Sequence, residues 1–369
     1  MKGVLRFHAD AYPRAPLARW DDLTFTRLYC EGKQFDLGVF RKMNHNMVKR
    51  GWTMLEGLLL GEAIEDHMKW PTFVHDREGQ TGDLYSYLID ERNGFGYLGS
   101  GFAKMMLIKH FAKGNVGGQL QCQGVSAYLA RSRELLNLLA AMMHLTAGGA
   151  PRAEEAVQTR ILEGREAGRN LFFMRDKIAW VLTYNKSKAQ KSIARFLPKE
   201  TSKLLVTYLV LIRPLETLLS GLGGPKDNMA SQASMLEYLF VSDGARWTRE
   251  HYGMALEQSF TAEMGEDIGM REYRQIQAAL SGHHLSKWKD LWEDTTDATS
   301  EQQGHSTETH ERDYDRMEDR SSSMKMHSQL RFEHASISWQ KLVFHGGEAL
   351  EKRIDDRLLP GRGSHHKDD

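Results

Sequence analysis

Cysteine is scarce: 369 residues contain two, Cys30 and Cys122. Two thiols cannot build a disulfide framework or a cysteine-based zinc site, so they read as core thiols of a reducing, intracellular compartment. Long apolar runs are also missing. The longest, such as LLVTYLVLI (204–212), fall short of the ~20 residues that span a bilayer, and the opening MKGVLRFHADAYPRAP lacks the apolar core of a secretory signal. The expectation is a soluble chain with no membrane partner. An excess of base over acid is lacking too, with 49 Lys and Arg against 49 Asp and Glu, so total charge does not advertise nucleic-acid binding. No 20–50-residue repeat is visible, which argues against a solenoid, and SGLGGPK (220–226) lacks the hydroxyl residue of a phosphate-binding loop.

What is present is an uneven distribution. From Arg160 to Lys203 eleven bases face four acids, whereas 290–319 is strongly acidic and repels a phosphate backbone. The first ~115 residues read as mostly helical, with WPTF (70–73) as a break and the glycines of ERNGFGYLGSG and GNVGGQ as a loop-rich passage. That passage divides the chain into a helical domain, 1–120, and a second domain, 121–345; the tail 346–369 is expected to be disordered. In the second domain, Ser126 offers a helix cap, Gly148 and Gly149 a stop, and Pro151 a new start. Three β-rich runs follow, LFFM, IAWVLTY and SIARFLP, separated by polar turns as in a small antiparallel sheet. Helical patterns then resume, ending in LRFEHASISWQKLVF, where Trp339 offers a docking face to a neighbour. The fold class is therefore mainly α with a small antiparallel sheet.

Four islands carry the candidate chemistry. TAGGAPRAEEA (146–156) places Arg152 after a glycine turn with Glu155 three residues on; TYNKSKAQKS (183–192) sets Lys186, or alternatively Lys188, in a turn between strands. MREYRQIQAAL (270–280) puts Arg274 ahead of a helix rich in small residues, and GHSTETHERDYDR (304–316) holds His305 nine residues before Tyr314. Taken singly, each is bland: Arg152 pairs with Glu155 at a helix start, Lys186 is a solvated turn lysine, and His305 and Tyr314 sit on a charged surface. HSTETH has the wrong spacing for two metal ligands on one helix face.

In this order the islands resemble the catalytic domain of the tyrosine recombinases, the phage-integrase-like enzymes. PRAEEA, IARFLP, YRQI and LRFEHASISWQ are similar to fungal Crypton-type members and to a related domain found beside telomere-linked RecQ-type helicases. The resemblance implies a DNA-clamping N-terminal domain, a catalytic C-terminal domain, and DNA recombination or integration, as in a mobile element. The partner implied is double-stranded DNA, bound by a homo-oligomer, in the nucleus if the source is eukaryotic. Arg152 and Arg274 would bind the scissile phosphate, Lys186 would protonate the leaving oxygen, His305 would assist, and Tyr314 would attack. No metal or cofactor is implied. Lys188, Lys191 and Arg195 would add DNA-backbone contacts. Arg271 stands where the family has a histidine, which leaves Arg271 as an alternative second arginine. It also leaves open an inactive relative that binds DNA or accompanies a helicase.

Overall fold

A computed structural model describes residues 18–71, 73–76, 84–112, 122–164, 168–186, 189–223, 229–285, 302 and 326–345. The chain is mainly helical with small antiparallel sheets. Sequence patterning missed the first sheet, formed by β1 (Ala18–Trp20), β2 (Arg27–Cys30) and β3 (Lys33–Asp36). Its signal is two-residue alternation: Leu28, Cys30 and Phe35 point inward, and Glu31-Gly32, both at positive φ, make the tight turn between β2 and β3. Asp36 ends β3 and caps helix α1 (Leu37–Leu58), its carboxylate accepting from the Val39 amide at 2.9 Å.

After α2 (Ile64–His67), the first part of the glycine-rich passage, ERNGFGYLGSG, runs into helix α3 (Phe95–Met106), while GNVGGQ lies outside the described residues. Glycine is needed there for contact: a Cβ on Gly99 would stand 2.5 Å from the Val210 carbonyl oxygen. Helix α4 (Cys122–Thr146) begins before Ser126, which is therefore not its cap, and its C-terminal half is buried on every side. Short α5 (Ala153–Ala156) follows the glycine turn with Arg152, rather than Pro151, at its entry. The expected three-stranded sheet is β4 (Leu171–Met174), β5 (Lys177–Lys186) and β6 (Ala189–Phe196) in sequential antiparallel order.

A π-helical turn at Tyr208–Ile212 continues α6 (Lys199–Thr207) into α7 (Arg213–Gly223). The Lys199–Gly221 span is long and apolar enough to cross a membrane by length and composition, and 72% of an apolar 18-residue stretch within it is buried inside the protein. Then come α8 (Met229–Glu237), the hairpin β7 (Val241–Ser242) and β8 (Ala245–Arg246), α9 (Arg249–Met264), α10 (Met270–Leu280) with a π-turn to Leu285, and α11 (Met326–Phe344).

The core does not divide at residue 120. One apolar cluster includes Leu28, Phe40 and Met47 from the N-terminal part and Leu139, Leu204, Tyr273 and Trp339 from the rest. Gly51 of α1 lies so close to α6 that a Cβ would meet Leu204 Cδ2 at 2.5 Å. Arg41 and Asn44 of α1 donate to the Leu342 and Val343 carbonyls at the end of α11, groups a helix leaves unsatisfied. Trp339 itself is buried, and its indole donates to the Leu145 carbonyl at 2.8 Å.

Asp76 crosses the same boundary. Its carboxylate is ion-paired to Arg169, with both side chains almost wholly buried, and accepts from the Phe173 amide of β4 at 2.7 Å. Removing one partner of such a pair strands the other charge in the interior, so Asp76→Ala should cost about 3–5 kcal/mol. Urea unfolding should lose that stability in one transition for the whole chain. Two separated transitions, or an unchanged midpoint, would contradict the shared core.

Candidate functional site

The glycine turn after α4 is the place where distant segments meet. Gly148 adopts φ +127°, and a Cβ there would stand 2.5 Å from Gln302 Oε1 and 2.9 Å from Ser336 Oγ, so any side chain at this position would be strained and would displace the groups that hold the turn. Residues 147–150 are buried, and their backbone polar groups need protein partners. Gln277, on α10, supplies two: its Oε1 accepts from the Ala150 amide at 2.7 Å and its Nε2 donates to the Gly148 carbonyl at 2.8 Å. Gln302 supplies another, its Oε1 accepting from the Gly149 amide at 2.9 Å. The Gly149 carbonyl accepts from Arg195 Nε of β6.

Gln302 reaches further. Its Nε2 donates to the Ala194 carbonyl at 2.9 Å, to the Phe332 carbonyl at 3.2 Å and to Ser336 Oγ at 3.1 Å, while its own carbonyl accepts from Arg195 Nη2 at 2.6 Å. β6 is the outer strand of its sheet, and α11 covers that edge: the Phe196 amide donates to Ser336 Oγ at 3.0 Å, and Gln340 Nε2 donates to the Phe196 carbonyl at 2.6 Å.

Two residues past this clamp, Arg152 is exposed at the start of α5, and Glu155 Oε2 accepts from its backbone amide at 3.2 Å. That contact orders the turn through the main chain, as at the start of a capped helix. Arg274 lies one helical turn before Gln277 and is partly buried. Arg271 is exposed and paired with Glu31 of the first hairpin at 3.0 Å. Of the two candidates, Arg274 shares the helix face of the residue that holds the turn.

Positive charge gathers beneath the turn. His144, near the end of α4, is wholly buried, with Nδ1 3.4 Å from the Tyr252 hydroxyl. Burial first, then the nearby Arg195 and Arg274 guanidiniums, push its pKa down to about 3, so the ring is neutral at physiological pH. Arg195 is buried, not a surface DNA contact as its sequence position suggests. Burial also lowers its pKa, to about 10, opposed by Glu155, and it stays protonated.

Other assigned residues stand differently. Lys186 ends β5, pairing in register with Ala189, and Lys191 pairs with Tyr184, so the strands on either side of the expected lysine-bearing turn are paired. Lys188, His305 and Tyr314 lie outside the described residues, as does the tail 346–369. Among the described residues no group of three or more His, Cys, Asp and Glu side chains is arranged to hold a metal ion. Sequence reasoning passed over His144, Gln277 and Gln302. Gln277 was within reach, because it sits three residues after Arg274 on the same face, whereas Gln302 has no local signal in TSEQQGHS. No protein-family model matches the chain, and no solved structure matches it.

The neutral His144 has a stability consequence. Its folded pKa is below the ordinary value of 6.5, so between pH 6.5 and about 3 the unfolded chain binds the extra proton and stability falls as pH falls. This one group should remove about 2 kcal/mol between pH 7 and pH 5. Urea unfolding of wild type and His144→Gln at both pH values checks it: the difference between the two proteins should shrink at pH 5 by that amount. A difference independent of pH would contradict the assignment.

Proposed function

We propose that the chain breaks and rejoins DNA strands through a tyrosine-linked intermediate, as the resemblance to the tyrosine recombinases implies. The observation that carries this reading is the clamp on residues 148–150. It joins the turn before Arg152 to the helix of Arg274 through Gln277, and to Gln302, which stands three residues before His305 in sequence. Two of the four islands, 146–156 and 270–280, thus meet at one turn, which supports the reading over an accidental set of motifs.

In this reading Arg152 and Arg274 bind the non-bridging oxygens of one phosphodiester with permanent, two-pronged charge. The negative charge that builds during displacement is then met by fixed donors, the kind of contribution worth several kcal/mol at a transition state. The Tyr314 hydroxyl attacks phosphorus, forming a 3′-phosphotyrosyl bond as the bond to the 5′ oxygen breaks. Lys186, at the end of the β5 hairpin arm, gives that oxygen its proton; His305 assists at the phosphate. Attack by another 5′ hydroxyl reverses the step, so strand exchange needs no external energy source. Arg271 in the histidine position, turned to Glu31, supports a second reading in which the protein binds DNA without cutting it, alone or beside a helicase.

A pool of random-sequence duplexes, each nicked so that a short 5′ fragment escapes after cleavage, tests this directly. Denaturing recovery of protein-bound DNA should yield a covalent adduct with wild type. Tyr314→Phe should abolish it, and Arg152→Ala or Arg274→Ala should reduce its formation by at least about 100-fold, as loss of one transition-state donor does elsewhere. Duplex retained without any Tyr314-dependent adduct supports the non-cleaving reading, and neither binding nor adduct removes both.

A further inference from the structure

We propose that Arg195 is a positioning residue of this site, its one buried guanidinium fixing both the turn that carries Arg152 and Gln302, three residues before His305 in sequence. The inference rests on the strand-exchange reading, because those two segments are the ones it aligns. Arg195 Nε donates to the Gly149 carbonyl, and Nη2 donates to the Gln302 carbonyl at 2.6 Å. The planar fork spans two backbone oxygens from segments more than 150 residues apart (302 − 149 = 153), a geometry that a lysine ammonium on a flexible stem cannot reproduce.

The strand that holds Arg195 adds to the argument. β6 begins at Ala189, paired with Lys186, and six residues later Arg195 pairs with Trp180, so the arm bearing the proposed acid is tied to the same turn. A buried cation costs several kcal/mol unless its donors are satisfied, yet among the described residues Arg195 Nη1, fully shielded from solvent, has no hydrogen-bond partner. A residue kept only for packing would be better served by an apolar side chain of similar volume. A residue kept for alignment, and for its field on an anion bound at Arg152 and Arg274, must keep its charge.

The test uses the full chain on a duplex recovered by the nicked-pool selection. Wild type, Arg195→Lys, Arg195→Met, Gln302→Ala and the Arg195→Met/Gln302→Ala double variant are compared for DNA affinity and for single-turnover adduct formation at saturating DNA. Misplacing a catalytic group by about 1 Å costs about 100-fold, so Arg195→Met should lose about that much in rate while affinity stays within about 3-fold. Arg195→Lys should recover part of the rate. The double variant should be no slower than the slower single variant, because both act through one contact. The inference is overturned if the Arg195 variants keep the wild-type rate, if rate and affinity fall in proportion with additive losses, or if even Arg195→Lys fails to fold. Wild type without a Tyr314-dependent adduct would instead overturn the underlying reading, and this inference with it.

Discussion

The buried backbone of residues 148–150 imposes the constraint on which the site depends. A glycine turn closed off from water must have its amides and carbonyls satisfied by protein, and each one left unsatisfied costs about 1–3 kcal/mol. Gln277, Gln302 and Arg195 meet that demand from three separate parts of the chain. Because the bonds are directional, they also fix where α10, β6 and the segment at Gln302 stand relative to Arg152. Packing alone would hold these elements together without setting their register.

The same clamp explains how a chain of balanced charge could serve an anionic substrate. Many acids are engaged elsewhere: Asp76 with Arg169, Glu333 with Arg175 and Lys177, Glu263 with Arg50. Near the glycine turn, Arg195 and Arg274 both lie close enough to the buried, neutral His144 to lower its pKa, with Glu155 the nearby acid that Arg195 feels. Local field, rather than total charge, decides whether a phosphate is attracted. Neutral His144 matters here, since a second buried cation beside Arg195 would raise the cost of the whole arrangement.

Much of this was legible in the sequence where a local rule operates. Alternating runs marked β4, β5 and β6, Gly148 and Gly149 marked the end of α4, and the small-residue run after Arg274 marked the helix that carries it. The first hairpin was hidden because Glu-Gly is a weaker turn signal than Asn-Gly, and α3 because one of its glycines, Gly99, serves close packing against Val210 rather than a loop. The division at residue 120 was read from composition, which carries no record of Gly51 meeting Leu204 or of Arg41 capping α11. Gln302 and the burial of Arg195 are tertiary facts. A glutamine in a polar run and an arginine in a basic one look like surface residues until the turn they satisfy is known.

The most direct measurement is a structure of the chain on a cleavable duplex, reading the distances from Arg152 and Arg274 to the DNA. The account predicts both guanidiniums within hydrogen-bonding distance of the same phosphate, with the Tyr314 hydroxyl in line with its 5′ oxygen and the clamp of Gln277, Gln302 and Arg195 intact. Arginines that contact different phosphates, or a Tyr314 directed away from the bond they flank, would contradict it.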